Sequence, residues 1–296
     1  MRAAYVFGPA ARTGVLRPFR LPNVTLEPLT DAHSATPPDA LLVFAGDGTV
    51  HHQLGFLVKT RTPLLVVPCG SGNDFAHSIG IHTRKDAVRL WQSFCIGATE
   101  VRELDVGAIS PLAEGIALPP GGEETLFCNI CGAGLDSAAN RAANNMTAFS
   151  RAHGGYSLAA FFQLLLFPAE KFKVSTRDSH GQWVGWLQER ALMVAVGNSP
   201  HYGGGIRITP KARLDDGKLD VCFIREASRR RRFQLLPVAR RGLHLTLPEV
   251  EYMQTQQLRI ETETRLEVYA DGEFAGNTPV EIRVRPRALR VIAPPA

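Results

Sequence analysis

The amino-acid sequence predicts an α/β domain followed by a mainly β domain. Two short apolar runs, residues 41–44 and 64–67, each lead into a glycine-rich turn, as is typical of parallel strands buried on both faces. Beyond residue 105 the sequence changes to many short strand-like segments separated by turn residues. We therefore expect an open α/β sheet first and an antiparallel β-sandwich after it.

The first domain is predicted over residues 1–106. Residues 3–7 are apolar and predict its first strand, and the apolar runs at 41–44 and 64–67 predict the next two. Residues 86–94 predict a helix after the second turn. Strands that alternate with helical or loop segments indicate an open α/β sheet.

The second domain is predicted over residues 107–288, with a loop rich in glycine and proline at 111–124 near the junction. A last strand, within residues 289–296, could return to the first domain. The other predicted strands have apolar residues between turn residues, and they lie at 125–130, 183–187, 191–196, 219–224, 258–262, 266–270 and 280–284.

The two glycine-rich turns carry the residue types that bind phosphate. Glycine allows the positive φ that such a turn can require, and it lets backbone N–H groups approach phosphate oxygens closely. Hydroxyl groups could donate further hydrogen bonds, and carboxylates could organise Mg²⁺ beside a nucleotide. The candidate nucleotide-binding residues are Ala45, Gly46, Asp47, Gly48 and Thr49 in the first turn and Gly70, Ser71, Gly72, Asn73 and Asp74 in the second.

Further motifs follow in order along the chain. They are Phe127-Cys128-Asn129 through Leu135-Asp136, Val196-Gly197-Asn198 through Gly205, Asp215-Asp216-Gly217-Lys218-Leu219-Asp220, and Asp271-Gly272-Glu273. Together with the two turns, this series resembles the diacylglycerol kinase catalytic-domain family, which includes bacterial lipid kinases and sphingosine kinases. The resemblance implies a Rossmann-like, NAD-kinase-like first domain and an active site in the cleft between the domains.

The resemblance implies an enzyme that uses ATP and Mg²⁺ to phosphorylate the hydroxyl of a lipid such as diacylglycerol. It gives Asp47 a catalytic role in organising the metal and nucleotide, and it places Asp74 and Asp105 in a water-linked network around the metal. Thr25 resembles a threonine that contacts the nucleotide. The alternatives are a strand-end aspartate at the domain junction for Asp105 and an ordinary strand residue for Thr25.

Glu273 is the candidate general base. Phosphorylation of an alcohol requires a group that takes the hydroxyl proton as the oxygen attacks, and a carboxylate within hydrogen-bond reach can do so. Glu273 follows Asp271-Gly272, a dipeptide typical of hairpin turns, and the triplet resembles the family motif. Without that resemblance, Glu273 would be interpreted as an exposed turn residue.

The resemblance also implies a structural Mg²⁺ away from the chemistry, with Arg213, Asp216 and Lys218 as its ligands. Backbone carbonyls would serve at Arg213 and Lys218, so Asp216 would be the charged side-chain ligand. A type I turn in which Asp215 and Asp216 cap their own backbone explains the same residues. Both interpretations are open at the level of sequence.

The chain departs from the family pattern in its first domain. Ala45 replaces the first glycine of the first turn, and residues 7–9, Phe-Gly-Pro, replace the usual Asn-Pro exit of the first strand. Two histidines at residues 51–52 stand where bacterial members have asparagine and glutamate. The short interval before Asp47, with prolines at 37–38, predicts that the early helices are reduced.

The net charge of +5 favours an anionic partner, which could be a nucleotide, a lipid or a nucleic acid. Residues 229–241 contain six arginines with apolar residues at near-helical spacing, and this basic segment could dock on anionic lipid headgroups. A solvated helix that covers the β domain explains it as well. The arginines lack interleaved aromatic residues, so we do not expect nucleic-acid binding.

Cysteine usage and hydropathy indicate the compartment. Five cysteines scattered through apolar segments predict buried thiols in a reducing cytoplasm, and the pair at 128 and 131 lacks the second pair of a zinc site. The apolar run at 158–168 is shorter than the ~20 residues that span a bilayer. We expect a cytoplasmic protein without a transmembrane anchor that contacts the inner membrane face reversibly and could form a homodimer. Residues 156–167 could be a substrate-entry lid or part of the core.

Three functions are compatible with these residues. The leading hypothesis is an ATP- and Mg²⁺-dependent lipid kinase. NAD kinase shares the first glycine-rich turn and the general architecture, but the second turn and the Asp-Gly-Glu triplet favour the lipid branch. A catalytically silent regulator that binds lipid or nucleotide would also fit the reduced first domain.

Overall fold

The computed structural model describes residues 1–31, 36–113, 116–117, 124–144, 167–178 and 180–295. The chain divides into two compact units: unit 1 holds residues 1–106 and 286–296, and unit 2 holds residues 107–285. Most of the segment predicted as a lid or core, residues 156–166, lies outside the described residues.

Unit 1 is an open α/β fold. Its strands are β1 (Arg2–Phe7), β2 (Thr25–Pro28), β3 (Ala40–Ala45), β4 (Leu64–Pro68), the start of β5 (Val101–Ala113) and the end of β16 (Val280–Ile292). The order β2-β1-β3-β4 is parallel throughout, and Val291 pairs in parallel with Leu64 to add β16. Every residue of β3 and β4 is buried, which explains their continuous apolar sequences.

The helices of unit 1 connect these strands. They are a 3₁₀ helix (Thr13–Phe19), α1 (Asp47–Thr60), α2 (Asp74–Ser78) and α3 (Arg84–Cys95). α3 begins with a capping box in which the Thr83 hydroxyl accepts from the Asp86 N–H at 3.2 Å and Asp86 accepts from the Thr83 N–H at 2.8 Å. The helix predicted at residues 86–94 is therefore confirmed.

A short 3₁₀ helix, rather than an α-helix, follows β1 and covers the sheet. Its Phe19 is buried and packs edge-to-face on Phe44 of β3, with ring centroids 4.9 Å apart. The indole N–H of Trp91 in α3 donates to the Phe19 carbonyl at 2.8 Å. Two large aromatic residues, Phe19 and Trp91, thus cover this face of the sheet although the segment after β1 is short.

Unit 2 is built almost entirely of antiparallel strands. Besides the end of β5 and the start of β16, these are β6 (Ile116–Ala117), β7 (Thr125–Phe127), β8 (Ile130–Gly134), β9 (Glu170–Arg177), β10 (Trp183–Gly197), β11 (Leu219–Arg225), β12 (Val250–Thr255), β13 (Gln257–Thr262), β14 (Glu267–Ala270) and β15 (Glu273–Asn277). The pairing order is β15-β14-β8-β10-β9-β13-β16, and β11 joins β10 to β12. Among its described residues, the helices are α4 (Leu135–Asn144), α5 (Arg229–Arg240) and a 3₁₀ turn (His244–Thr246).

β10 changes partners along its length. Its first part pairs with β9, and its last part, from Met193, lies between β8 and β11. Register shifts near Gly185 and Ala191 mark bulges, which bend a strand. Val194 belongs to a core cluster on one face, and Met193 and Ala195 belong to a second cluster on the other.

The predicted fold class, an α/β domain followed by a β domain, is confirmed, but some predicted strands are wrong in detail. Residues 125–130 form two strands separated by a bend, and residues 183–196 form a single long strand. β9, β12 and β15 were not predicted. Within the described residues, no helix is long and apolar enough to cross a membrane. All five cysteines are free thiols, and all except Cys95 are buried.

A buried histidine links β11 to the segment that follows α5. His244 is 1% exposed, its Nε2–H donates to the Ile208 carbonyl at 3.0 Å, and the Cys222 thiol lies 3.6 Å from the same nitrogen. Nδ1 has no hydrogen-bond partner among the described residues. Burial lowers the pKa of His244 below its ordinary value, against the opposing effect of the hydrogen bond to Ile208. Burial also raises the pKa of the Cys222 thiol to about 12.

We predict that His244 makes the folding stability depend on pH. Because burial makes protonation of this imidazole less favourable in the folded state, unfolded chains bind more protons, and its contribution to stability falls as the pH drops below about 6.5. Urea denaturation at about pH 7.5 and about pH 5.5 should show a loss of stability that is smaller in His244→Gln, which keeps a donor but does not titrate. Equal pH dependence in both proteins would contradict the prediction.

Candidate active site

Unit 1 brings its two glycine-rich turns to one edge of the sheet. Phe44 of β3 pairs with Phe7 of β1, and Ala45 pairs with Pro68 of β4. Because these strands are parallel, their carboxyl ends share an edge, which is where ligands of open α/β sheets bind. The candidate residues of both turns, 45–49 and 70–74, therefore follow neighbouring strands at that edge.

The two turns are in backbone contact at Gly46 and Gly70. A Cβ added to Gly70 would lie 2.5 Å from the Cα of Gly46, and one added to Gly46 would lie 3.1 Å from the Cα of Gly70. A side chain at Gly70 therefore does not fit unless a turn moves. Glycine is needed here because it lets two backbones pack together.

The expectation that these glycines supply positive φ is wrong. Gly46 has φ −100°, and residues 47–49 already form the first turn of α1. The left-handed residue is Asn73, with φ 57°, and asparagine tolerates this conformation better than most residues. Its side-chain amide closes the second turn, because it accepts from the Gly70 N–H and donates to the Gly70 carbonyl, both at 2.8 Å.

Asp47 joins the two turns through its carboxylate. Oδ2 accepts from the Asp74 N–H at 3.0 Å, and Oδ1 accepts from the Phe75 N–H at 2.9 Å. These N–H groups begin α2, so Asp47 caps that short helix from the neighbouring turn. The same bonds hold Asp47 beside Asp74, which is itself buried.

The N-terminus of α1 adds a site for negative charge. The first N–H groups of a helix have no acceptor within the helix, and its dipole favours an anion there. Thr49 lies in this first turn, and Ser71 is exposed in the other turn beside Gly72, which is half-buried. The edge thus combines N–H donors, hydroxyl groups and two carboxylates.

Asp105 holds the returning C-terminal segment. It is buried inside β5 rather than at a strand end, and its Oδ1 accepts from the Arg287 N–H at 2.8 Å. Arg287 has φ 51°, a conformation that is rare for arginine. This hydrogen bond gives Asp105 a structural role. The place of Asp105 in a metal network stays a prediction.

Thr25 does not lie beside the two glycine-rich turns. It opens β2 and pairs with Arg2, at the amino end of the sheet. Phe7 is five residues after Arg2 along β1, so Thr25 lies roughly 17 Å from the edge that carries the turns. Thr30, which follows Pro28, the last residue of β2, lies nearer to the turns. The structure does not bring Thr25 together with the turns, and its contact with a nucleotide stays a prediction.

Two departures from the family pattern compensate for each other. A Cβ added to the buried Gly8 would lie 2.7 Å from the Cβ of Ala45 and 2.9 Å from Oγ1 of Thr49. Ala45 has the methyl group that the usual glycine lacks, and Gly8 leaves the space for it. The exit of the first strand and the first turn therefore fit together as a pair.

Unit 2 holds the candidate base on a hairpin fixed by Asp271. The Asp271 carboxylate accepts from three successive backbone N–H groups, at 2.9, 2.8 and 3.2 Å, and its own N–H donates to the Ile130 carbonyl at 2.9 Å. The three donors are Cys128, Asn129 and Ile130. The sequence motif assigns Asp271 no role of its own. These bonds make it the residue that positions the hairpin.

Glu273 follows directly from this turn. Asp271 has φ 51° and Gly272 has φ 91°, the positive values of a type I′ hairpin, so the predicted turn is confirmed. Glu273 opens β15, pairs with Ala270 and is half-buried. Two anchored strands therefore limit how far this carboxylate can move. Its catalytic role stays a prediction.

A buried polar network ties two further motifs to the same place. The Asn198 side-chain amide donates to the Cys128 carbonyl at 3.0 Å, and the Ser199 hydroxyl donates to Oδ1 of Asn129 at 3.1 Å. All of these residues are buried, so each bond is made away from water. The motifs at residues 127–136 and 196–205 therefore converge on the turn that carries Glu273.

The loop proposed to bind a structural Mg²⁺ has the hydrogen bonds of a turn. Oδ1 of Asp216 accepts from the Lys218 N–H at 3.0 Å, Gly217 has φ 71°, and Arg213 pairs with Asp215 at 3.4 Å. Burial raises the pKa of the neighbouring Asp220, although bonds from Tyr252 and Gln254 oppose this. In the described part of the chain, no three His, Cys, Asp or Glu side chains form a metal-binding group. Mg²⁺ at Arg213, Asp216 and Lys218 stays a prediction.

Both parts of the chain match known families. Residues 19–109 match the diacylglycerol kinase catalytic domain, and residues 129–293 match the YegS C-terminal NAD kinase beta sandwich-like domain. A protein named diacylglycerol kinase from Mycobacterium tuberculosis is 32% identical over 256 residues, which are 86% of this chain and 77% of that protein.

Solved structures have the same fold. A diacylglycerol kinase from Bacillus anthracis str. Sterne superposes with a TM-score of 0.67 at 20% identity, over 99% of this chain and 97% of that one. Yeast NADH kinase complexed with NADH gives a TM-score of 0.58 at 10% identity, over 98% and 82%. At these identities the similarity shows the fold.

We predict that Gly8 and Ala45 are energetically coupled. Gly8→Ala should lower the free energy of unfolding by ~1–3 kcal/mol through overpacking, and Ala45→Gly in the same protein should restore most of the loss. Urea denaturation of both single variants and the double variant measures the coupling. Gly14→Ala, where an added Cβ meets nothing within 4 Å, is the control. Additive effects of the two changes would contradict the prediction.

Proposed function

The chain belongs to the diacylglycerol kinase catalytic-domain family and is a lipid kinase, and we propose that it transfers the γ-phosphoryl group of ATP to the hydroxyl of a lipid at a membrane surface. Diacylglycerol is the first candidate lipid, because it is the substrate in the name of the relative from Mycobacterium tuberculosis. The observation that carries the proposal is the backbone contact of the two turns at Gly46 and Gly70.

Unit 1 would bind the nucleotide through its phosphates. The N-terminus of α1 and the turn closed by Asn73 offer backbone donors to phosphate oxygens. Asp47 and Asp74 would hold Mg²⁺, which when bound neutralises phosphate charge. Asp47 is already oriented by the N–H groups at the start of α2, so its carboxylate need not reorganise to bind.

Unit 2 would supply the base. The Glu273 carboxylate takes the proton of the lipid hydroxyl as that oxygen forms a bond to the γ-phosphorus. The bond between the γ-phosphorus and the bridging oxygen breaks, and ADP leaves with the electron pair. The three N–H groups that hold Asp271 position Glu273 for this step.

Transfer of radiolabelled γ-phosphate from ATP tests the proposal directly. We expect label in a lipid when purified protein, Mg²⁺ and detergent-dispersed lipids are combined, and no label in NAD. Label in NAD alone would instead assign the activity of an NAD kinase. Absence of label from every lipid in a broad extract would contradict the proposal.

We predict that Glu273→Gln separates nucleotide binding from transfer. Mg-ATP should bind with unchanged affinity, and kcat should fall by a factor of ~10² or more, because the amide cannot accept the proton. The control Glu267→Gln lies in the neighbouring strand, where its exposed contact with Arg141 contributes little.

Calorimetry and turnover on the same preparations decide the role of Glu273. A parallel loss of ATP affinity would assign Glu273 to nucleotide binding. Unchanged turnover would show that it is a turn residue alone.

A further inference from the structure

The outward side of α5 exposes arginines near both of its ends. Arg232, Leu235 and Ala239 are buried and mark the inner side of the helix. The opposite side exposes arginine near both ends, at Arg229 and Arg230 and again at Arg240 and Arg241, with Phe233 between them.

Only part of the predicted basic segment is available to a partner. Arg231 forms a bidentate ion pair with Glu249, at 2.6 and 3.1 Å, and Arg232 donates to the carbonyls of Ala227 at 2.8 Å and Phe167 at 2.7 Å. These two arginines fix the helix on unit 2. Replacing all of residues 229–232 would therefore damage the fold.

The sequence around the exposed arginines of α5 lacks acidic residues. The sequence has no aspartate or glutamate from residue 227 to residue 248. The acids on either side, Glu226 and Glu249, are each paired with an arginine, Arg190 at 3.1 Å and Arg231 at 2.6 Å. Arg207, in a neighbouring loop, adds a further exposed cation. It lies close to the end of α5, since a Cβ added to Gly242 would be 3.4 Å from the Cβ of Arg207.

Large apolar side chains are exposed among these charges. Phe233 is 43% exposed and Leu243 is 61% exposed. We define the basic face as Arg207, Arg229, Arg230, Phe233, Arg240, Arg241 and Leu243. Apolar side chains flanked by arginine, in a stretch of sequence without Asp or Glu, match an interface of anionic headgroups over acyl chains.

We propose that the basic face docks the protein on an anionic lipid bilayer. This inference rests on the proposed function, since a kinase that acts on a membrane lipid must hold the membrane surface reversibly. Arg232 and Arg231 keep the helix on unit 2 while their neighbours contact headgroups, and Phe233 and Leu243 enter the interface. The arginines attract the protein to the anionic surface, and insertion of Phe233 and Leu243 slows its dissociation.

Vesicle sedimentation tests the proposal with the full chain. The variant R229Q/R230Q/R240Q/R241Q should bind phosphatidylglycerol–phosphatidylcholine vesicles at least about 50-fold more weakly, because each arginine near an anionic surface contributes roughly fivefold. Glutamine is a good helix former, so α5 should persist, which circular dichroism checks. F233S/L243S should also weaken binding while its dependence on salt stays that of the wild type.

A matched control removes the same charge elsewhere. R12Q/R17Q/R20Q/R265Q changes four exposed arginines outside the basic face and should bind vesicles as wild type does, within about threefold. Equal binding by the basic-face variant and this control would overturn the proposal. Wild-type binding to pure phosphatidylcholine as strong as to anionic vesicles would also overturn it.

The outcome can be separated from that of the proposed function. The basic-face variant should keep wild-type kcat on short-chain diacylglycerol that is dissolved without a membrane. Weaker vesicle binding together with this activity supports docking. Loss of activity on the dissolved lipid would overturn the assignment, since the arginines would then act in the chemistry. If wild type phosphorylates no lipid, the proposed function fails even where vesicle binding follows the prediction.

Discussion

Unit 1 depends on the contact between two glycine-rich turns. Gly46 and Gly70 pack backbone on backbone, and the Asp47 carboxylate crosses from one turn to cap the helix that follows the other. This contact sets the spacing of the donors and carboxylates at the edge of the sheet. Ala45 would crowd the edge, but Gly8 leaves room for its methyl group, so the sheet keeps its geometry with an unusual residue in the first turn.

In unit 2, too, an aspartate carboxylate fixes the backbone beside a candidate site residue, here the candidate base. The Asp271 carboxylate accepts hydrogen bonds from three consecutive N–H groups and thereby fixes a hairpin, on which Glu273 is the next acid. In both units an aspartate positions the backbone next to a second acid. Rigid support of this kind is what a phosphoryl-transfer site needs, because such catalysis consists mostly of positioning and electrostatics.

The fold class could be predicted from the sequence because buried parallel strands have continuous apolar runs and each ends in a recognisable turn. The sequence could not show which atoms the motif residues contact. Asp47 was expected to organise metal and nucleotide together with Asp74 and Asp105, but its hydrogen bonds to the start of α2 depend on two turns meeting in space. The position of Thr25, at the opposite end of its strand from the two turns, depends on strand register, which is a tertiary property. Likewise, four consecutive arginines look equivalent in sequence, and only packing distinguishes Arg232, which is buried, from Arg230, which is exposed.

The central claim is that the joined turns bind the nucleotide, and calorimetry of Mg-ATP with Gly70→Ala tests it most directly. The added Cβ would lie 2.5 Å from the Gly46 Cα and force the turns apart, whereas Gly55→Ala, where the Cβ meets nothing within 4 Å, is a matched control in α1. With both variants shown to be folded by thermal denaturation, the account predicts that Gly70→Ala binds Mg-ATP at least about tenfold more weakly and that Gly55→Ala binds it as wild type does. Wild-type affinity in a folded Gly70→Ala protein would contradict it.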